Sequence, residues 1–323
     1  MNSTFKGVLK LLFTVILLIV VLYKVNLGTL KAVILTINIY YLTAIIGLSL
    51  LVFLTAAIRS LTFIRGMGVK SINLIDAYKY YLVAAFYNQF LPTTMGGDVV
   101  RIYMIQKKSA DVFQASSSVV TERLIGLVTI IFISFIATFL IPYNPDLIIF
   151  RHMLMVLLLL AAGFIIIIFL PAALTFFNRV FMTIGFKKVN HFVQQFITAL
   201  HDYREKPGLL IWGFVLTMVY DLGDITVVYL LGLLIGIEIA FCYYLLFIPL
   251  VHIVSIIPIS LNGVGLRENT MVYLFGLVGV SSSLAFLLSI LIYLDRLIKA
   301  IIGALWITAE NGKLTIIKGD KNA

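Results

Sequence analysis

A polar stretch within an otherwise apolar chain holds the residues best suited to chemistry. It contains Asn88, Pro92, Gly96, Gly97, Asp98 and Arg101. Asp98 and Arg101 are three positions apart, so they share one face if a helix begins at the glycines. The free N–H groups of such a helix start, together with Arg101, can bind a phosphate that the two glycines would allow close to the backbone. A structural Asp98–Arg101 pair that caps a broken helix accounts for the same residues.

A second polar stretch repeats this chemistry later in the chain. It contains Ser260, Asn262, Gly263, Gly265, Arg267 and Glu268. Ser260 and Asn262 can cap a helix, while the two glycines open the backbone. Arg267 and Glu268 supply opposite charges at the start of the helix that follows. The second stretch is therefore predicted to serve the same purpose as the first.

Four further charges fall inside apolar segments, at Asp221, Asp224, Asp295 and Arg296. They are predicted to face the interior of a helix bundle and to find partners there, because an isolated charge in a membrane costs at least about 2.5–3.5 kcal/mol. One interpretation makes them a polar path that pairs with or alternates among Arg101, Arg123, Arg267 and Arg296. The other makes them fixed salt bridges that hold helices in register. His252, on an apolar helix, is interpreted as an interior histidine rather than a proton relay.

The composition requires a membrane protein. Of the 323 residues, 62% are hydrophobic and only 12% are charged, whereas soluble domains carry roughly 25% charged residues. The net charge of +10 fits basic cytoplasmic loops facing anionic lipid, and no long basic tail or zinc-finger spacing indicates nucleic acid. The single cysteine, Cys242, excludes an internal disulfide and a cysteine-clustered metal site. We expect no cofactor and no metal.

Apolar runs of about 20 residues predict an all-α polytopic membrane protein with about six spanning helices. The expected spans are 11–23, 37–58, 119–141, 150–170, 209–235 and 283–307. Between them, 72–91 with 99–106, and 241–257 with 266–277, are expected to form two re-entrant hairpins broken at the polar stretches. Residues 24–36 are interpreted as a polar connection, and 172–206 as helices lying in the membrane interface.

The order of these segments predicts an inverted repeat. Each half reads span, span, broken hairpin, span, with boundaries at about 1–145 and 146–308 in a single transmembrane domain and a tail over 309–323. Three crossings per half give the halves opposite orientations, a recurrent transporter design. Basic residues concentrate in the loops that would be cytoplasmic if both termini are cytoplasmic. Tyr78, Tyr80, Tyr81 and Tyr87 are assigned to an aromatic belt, and Lys79 and Lys299 are given no role.

The ordered motifs resemble a known family. Pro92-x-x-x-Gly96-Gly97-Asp98-x-x-Arg101, Glu122-Arg123 and Ser260-x-Asn262-Gly263-x-Gly265-x-Arg267-Glu268 are similar to the lysylphosphatidylglycerol synthase transmembrane family, also called flippase-like or UPF0104-type membrane proteins. The resemblance covers about Lys6 to Ile307 and adds Glu122 and Arg123 to the expected headgroup-binding residues. It implies a membrane part that moves aminoacylated phosphatidylglycerol, beside a fused cytoplasmic domain that makes it. Because the chain ends at Ala323 after a short tail, we expect that synthase domain to be absent.

Three functions are compatible with these observations. The first is a lipid transporter of the flippase or scramblase type in the cytoplasmic membrane, moving a phospholipid or polyprenyl-phosphate lipid whose phosphate binds Arg101 and Arg267. The second is an enzyme of the phosphatidylglycerol lysyltransferase type, or the membrane subunit of one. The third is a scaffold for a partner synthase or glycosyltransferase. No P-loop, nucleophile elbow or metalloprotease motif occurs in the sequence.

Overall fold

The computed structural model describes residues 19–20, 22–23, 25–90, 96–109, 111–142, 145–169, 203, 205–257, 260 and 263–309. Within these ranges the regular secondary structure is helical. The helices are α1 Leu27–Thr36, α2 Ile39–Gly66, α3 Leu74–Phe90, α4 Gly96–Ser109, α5 Val112–Leu140, α6 Pro145–Phe169, α7 Pro207–Leu234, α8 Phe241–Ile256, α9 Leu266–Gly276 and α10 Ser282–Ala309.

Three of these helices, α2, α5 and α7, are long and apolar enough to cross a membrane. Each has 28 or 29 residues, about 42 Å at 1.5 Å per residue, which exceeds the roughly 30 Å hydrocarbon core. Shorter apolar helices occur at Leu27–Thr36, Leu147–Gly163 and Phe241–Ile256. The prediction of a helical membrane protein is confirmed, while the number of spans and the repeat stay predictions.

Some boundaries differ from those expected. The residues interpreted as a polar connection include helix α1, because the Asn26 side chain accepts hydrogen bonds from the N–H groups of Gly28 and Thr29 and so caps a helix. Helix α2 continues past its expected end, which buries Arg59 inside a helix rather than leaving it in a loop. Helix α5 begins seven residues early, where Asp111 caps it by accepting from the N–H groups of Phe113 and Gln114.

The two polar stretches lie where helices end and begin. Helix α3 ends at Phe90 and α4 begins at Gly96, while α8 ends at Ile256 and α9 begins at Leu266. We call α3, residues 91–95 and α4 the first hairpin, and α8, residues 257–265 and α9 the second hairpin. Helices α3 and α8, which precede the two breaks, each end within two residues of the predicted end.

Contacts between residues divide the chain into two compact units. Unit 1 contains Met1–Val52, Lys79–Arg101 and Gly223–Ala323, and unit 2 contains Phe53–Tyr78 and Ile102–Leu222. Unit 1 therefore holds the tip of the first hairpin, the whole second hairpin and α10. The inverted-repeat halves at about 1–145 and 146–308 stay a prediction.

Unit 2 contains a buried aromatic anchor. Tyr203 donates from its hydroxyl to the Phe63 carbonyl oxygen at 2.9 Å and packs with Phe63, Met67 and Ile125. Of the expected interfacial segment 172–206, the structure describes only 203 and 205–206. Most of the expected first span also lies outside the described residues.

Candidate functional site

The first hairpin closes because its second arm lies directly on its first. The Gly97 N–H donates to Asn88 Oδ1 at 2.6 Å. A Cβ added at Gly97 would lie 2.5 Å from the Ala84 carbonyl oxygen and 2.7 Å from Asn88 Nδ2. The space beside Gly97 is therefore filled by α3, so this glycine allows helix-to-helix contact rather than the approach of a headgroup. Gly96 is buried beside it.

Arg101 is the centre of the first hairpin site. It is 2% exposed, its Nη1 lies 3.4 Å from Asp98 Oδ1, and its guanidinium carbon lies 3.9 Å from the centre of the Tyr81 ring. A cation over an aromatic face contributes about 2 kcal/mol when water is excluded. The ring thus covers one face of the guanidinium, and the N–H groups of the guanidinium point outward in its plane.

The second hairpin builds a similar site around Arg267, which is also buried. Arg267 donates to Glu268 Oε1 through Nε, at 3.1 Å, and through Nη2. The other oxygen, Glu268 Oε2, accepts from the Gly265 N–H at 2.6 Å and so caps the start of α9. The Arg267 guanidinium carbon lies 5.6 Å from the centre of the Tyr293 ring. Gly263 and Gly265 have φ of 74° and 79°, a backbone conformation that favours glycine.

The two sites share one arrangement that sequence reasoning found only in part. Each has a buried arginine within the first two turns of a helix, a carboxylate within three residues and a tyrosine ring against the guanidinium. Tyr81 and Tyr293 were not predicted as site residues, and burial of Tyr80 and Tyr81 places them away from the expected aromatic belt. Twenty residues separate Tyr81 from Arg101 and 26 separate Tyr293 from Arg267, so spacing alone gave no signal.

Each hairpin also holds a buried polar atom that has no hydrogen-bond partner among the described residues. Among these atoms are Gln89 Oε1 in the first hairpin and the hydroxyl oxygens of Tyr244 and Ser260 in the second. An unpaired buried polar atom costs about 1–3 kcal/mol, so such atoms are expected to find partners in a bound molecule or water. Ser260 was predicted, and Gln89 was missed although it follows Asn88 directly. The predicted residues Pro92 and Asn262 lie outside the described residues.

Contacts along α10 show in which direction each hairpin runs relative to α10 within unit 1. Lys79 of α3 lies over the Trp306 ring at 5.8 Å, and a Cβ added at Gly303 would lie 2.0 Å from the Leu82 carbonyl oxygen. The chain therefore runs in opposite directions in α3 and α10. The second hairpin reaches α10 from its other end, because only 277–281 separate α9 from α10 and Arg267 contacts Tyr293.

The same contacts place the end of α3 and the start of α9 at a similar level of α10. Helix α3 ends eight residues after Leu82. In α10, Asp295 lies eight residues before Gly303. The end of α3 is thus expected opposite Asp295, if the two helices keep the same rise. Arg267 contacts Tyr293. Tyr293 lies two residues before Asp295, which corresponds to about 3 Å along the axis of α10.

Unit 2 holds a separate buried pair. Glu122 Oε1 accepts from Arg59 Nη2 at 2.7 Å, and the Arg59 guanidinium carbon lies 4.8 Å from the centre of the Tyr220 ring. Arg123 is exposed. Asp221 Oδ2 accepts from the Thr129 hydroxyl at 2.6 Å. Glu122 and Asp221 therefore have neighbours that the sequence analysis did not name, since the basic residue Arg59 had been placed in a loop.

The remaining intramembrane charges lie in unit 1. Asp295 Oδ2 pairs with Lys299 Nζ at 2.7 Å on one face of α10, and both side chains are buried. Lys299, which had been given no role, is thus the partner of Asp295. Asp224 lies 3.9 Å from His252, joining α7 to α8 through Oδ2 and Nε2.

Comparison with known proteins agrees with this architecture. The family model described as the lysylphosphatidylglycerol synthase TM region matches residues 7–306. A UPF0104 membrane protein from Pyrococcus horikoshii is 23% identical over 295 residues, covering 82% of this chain and 83% of that protein. No solved structure gives a significant match. Because the family model spans nearly the whole chain, the protein belongs to the lysylphosphatidylglycerol synthase transmembrane region family.

Proposed function

We propose that this protein is an integral membrane lipid transporter that moves a phospholipid or a polyprenyl-phosphate lipid between leaflets. The observation that carries the proposal is the paired arrangement of Arg101 and Arg267, each buried at a break in a helix. A buried cation in a membrane protein is costly unless it serves a polar path, and arginine is well suited to binding phosphate oxygens in its plane.

Donor capacity supports a phosphate ligand at the second site. A guanidinium has five N–H donors, and Arg267 uses two of them on Glu268. Three donors therefore remain for a ligand, and the Ser260 hydroxyl oxygen has no hydrogen-bond partner among the described residues. A phosphate placed between these groups would satisfy several of them together. Asp98 and Glu268 balance the two arginines when no lipid is bound.

The direction of the hairpins supports transport between leaflets. Two hairpins that approach α10 from opposite ends and break at a similar level would give a headgroup polar contacts near the bilayer midplane. The proposal therefore includes the inverted repeat, with each hairpin entering from a different leaflet. It also includes a cytoplasmic location for both termini in the cell membrane, on the charge bias of the loops.

A partner enzyme is a second part of the proposal. The family takes its name from the membrane region of a synthase, so a separate enzyme that modifies or supplies the lipid headgroup is a reasonable partner. Co-purification of such an enzyme from the native membrane would support this part. New aminoacylated lipid made by the isolated chain would instead indicate an enzyme.

The test is a lipid-movement assay in reconstituted vesicles. Vesicles of phosphatidylcholine and phosphatidylglycerol carry a trace of fluorescent phosphatidylglycerol, and dithionite reports the fraction that reaches the outer leaflet. Fluorescent phosphatidylethanolamine and a polyprenyl phosphate are compared in parallel. The substitutions Arg101→Gln and Arg267→Gln are each expected to slow movement by about 10- to 100-fold, the equivalent of one lost charge-assisted hydrogen bond.

The matched control is Arg151→Gln. Arg151 also lies over an aromatic ring, with its guanidinium carbon 4.6 Å from the centre of Phe139, and it donates to the Thr138 carbonyl oxygen. It belongs to unit 2 and to neither hairpin, so movement should continue at the unsubstituted rate. The proposal fails if no candidate lipid moves, or if both hairpin substitutions leave the rate unchanged.

A further inference from the structure

Lys299 is a buried intramembrane cation to which the proposed transport assigns no role. Its side chain and that of Asp295 are almost sealed, and Lys299 Nζ lies 2.7 Å from Asp295 Oδ2. Both residues belong to α10 and are one helical turn apart, so this ion pair does not join two helices and cannot hold helices in register. A charge inside a membrane is costly, and charges that occur there typically mark the path of a substrate or ion.

The contacts of α3 give the level of Arg101 along α10. Leu82 lies against Gly303, and the two helices run in opposite directions. Tyr81 precedes Leu82 by one residue, so it lies at about the level of Ala304, one residue after Gly303. The Arg101 guanidinium lies 3.9 Å from the centre of the Tyr81 ring. Arg101 is therefore level with about Ala304.

Lys299 lies between this level and that of the second arginine. Arg267 contacts Tyr293, and Lys299 is six residues after Tyr293 and five before Ala304. These separations correspond to about 9 Å and about 7.5 Å along the helix axis. Three buried cations are thus spaced over about 16.5 Å of α10, more than half of the roughly 30 Å hydrocarbon core. Arg296 lies near the same level but is less buried than these three.

We propose that Lys299 is a third phosphate-binding residue, which a lipid phosphate occupies between Arg101 and Arg267. The inference rests on the proposed function, because it takes both arginines as phosphate ligands. A tyrosine ring covers one face of each guanidinium, whereas a lysine ammonium is a compact charge on a flexible four-carbon stem. A cation that can swing therefore lies between two that are held against rings.

Asp295 determines how tightly Lys299 holds the phosphate. An ammonium has three N–H donors, so it can donate to a carboxylate and to a phosphate oxygen together. The carboxylate at 2.7 Å repels a phosphate bound to the same ammonium and so promotes its release. A site along a transport path must bind strongly enough for entry and weakly enough for departure. Asp295→Asn should therefore bind an anionic lipid more tightly and move it more slowly.

The experiment removes both charges at once. Either single neutral substitution leaves one buried charge without its partner, which destabilises a protein strongly, so the test variant is the double substitution Lys299→Gln with Asp295→Asn. In the vesicle assay with fluorescent phosphatidylglycerol, it should move lipid at least about tenfold more slowly, the equivalent of one lost charge-assisted hydrogen bond. Lys299→Arg keeps the cation and should retain most of the movement, although arginine is the less flexible of the two side chains.

A binding measurement separates this role from a structural one. The full-length protein in detergent is melted with increasing dioctanoyl phosphatidylglycerol, because a ligand that binds the folded state raises the melting temperature. The lipid should raise the melting temperature of Asp295→Asn more than that of the unsubstituted protein, and that of the double variant less. A pair with only a structural role would shift the melting temperature without lipid and leave the lipid-dependent rise unchanged.

The matched control is the double substitution Lys108→Gln with Asp76→Asn. This lysine and aspartate also lie 2.7 Å apart, but their side chains are 40% and 19% exposed. They join the open ends of the first hairpin, away from the break, and an exposed pair contributes little to stability. Lipid movement and the lipid-dependent rise should both equal those of the unsubstituted protein.

The two proposals can fail separately. If the unsubstituted protein moves lipid and the Lys299→Gln, Asp295→Asn variant moves it equally fast, Lys299 is not on the path and transport stands. If the unsubstituted protein binds the lipid without moving it, transport fails. Tighter binding by Asp295→Asn then retains Lys299 as a phosphate ligand, and unchanged binding overturns it.

Discussion

Gly303 provides the sharpest test of how the first hairpin is held. A Cβ at this position would lie 2.0 Å from the Leu82 carbonyl oxygen, 2.5 Å from the Leu82 carbonyl carbon and 3.1 Å from the Val83 nitrogen. These are backbone atoms, which cannot rotate away as a flexible side chain can. Ordinary contact begins at 3.4 Å, so Gly303→Ala requires α3 to move away from α10 by roughly 1.4 Å. Glycine permits this close helix contact in membranes.

The expected cost of that movement is about 1–3 kcal/mol, the range for overpacking a well-packed interior. Gly303→Ala should lower the melting temperature in detergent by about 1.5–4.5 °C. The control is Gly47→Ala, because nothing lies within 4 Å of a Cβ built at Gly47. An alanine there should leave the melting temperature unchanged or raise it, since alanine favours helix by about 0.5–1 kcal/mol over glycine.

A cross-link provides a second measurement of the same displacement. Cysteines placed at Lys79 and Trp306, after Cys242→Ala, should be joined by a short bismaleimide in the unsubstituted background, because the Lys79 ammonium reaches the Trp306 ring. Gly303→Ala should slow the cross-link and lipid movement together. If Gly303→Ala melts and cross-links as Gly47→Ala does, then α3 does not pack on α10 at this position. The end of α3 then need not lie at the level of α10 that Arg267 contacts.

Three further predictions follow from described contacts. Gly97→Ala should open the first hairpin and slow lipid movement by at least about tenfold, since its Cβ would collide with Asn88 and the α3 backbone; protease accessibility of the break would report the opening. Arg59→Gln and Glu122→Gln should each lower the free energy of unfolding by about 3–5 kcal/mol, because each removes one charged partner of a buried 2.7 Å pair. The double substitution should be less harmful than either alone, and additive losses in melting experiments would contradict this. Tyr203→Phe should cost about 1 kcal/mol by removing the 2.9 Å hydrogen bond from its hydroxyl, measured by the same melts.

The sequence predicted well those features that arise from local pattern. Apolar runs gave the long helices α2, α5 and α7, and the cluster of proline, glycine and charge located both breaks. The capping residues Asn26 and Asp111 carried a local signal too, and they define helix starts that the apolar pattern alone placed incorrectly.

Contacts between distant helices were not predictable in the same way. Nothing in the sequence near Glu122 names Arg59, which is 63 residues earlier. Likewise, Tyr81 and Tyr293 have ordinary membrane-protein contexts and acquire a role only through the helices that bring them to Arg101 and Arg267. Periodicity identifies the face that a residue occupies, but the partner on that face depends on how the helices pack.

The two arginine sites are similar but unequal, and this inequality bears on mechanism. Glu268 is fixed at both oxygens, by the Gly265 N–H and by Arg267, so the second site is rigid. The Arg101–Asp98 contact is longer, 3.4 Å between Nη1 and Oδ1, and is therefore the weaker ion pair of the two. A phosphate competes with the carboxylate for in-plane donors of the guanidinium, while the tyrosine ring retains its face. For the proposed lipid transport, this difference predicts that Arg101→Gln and Arg267→Gln slow lipid movement to different extents in the vesicle assay.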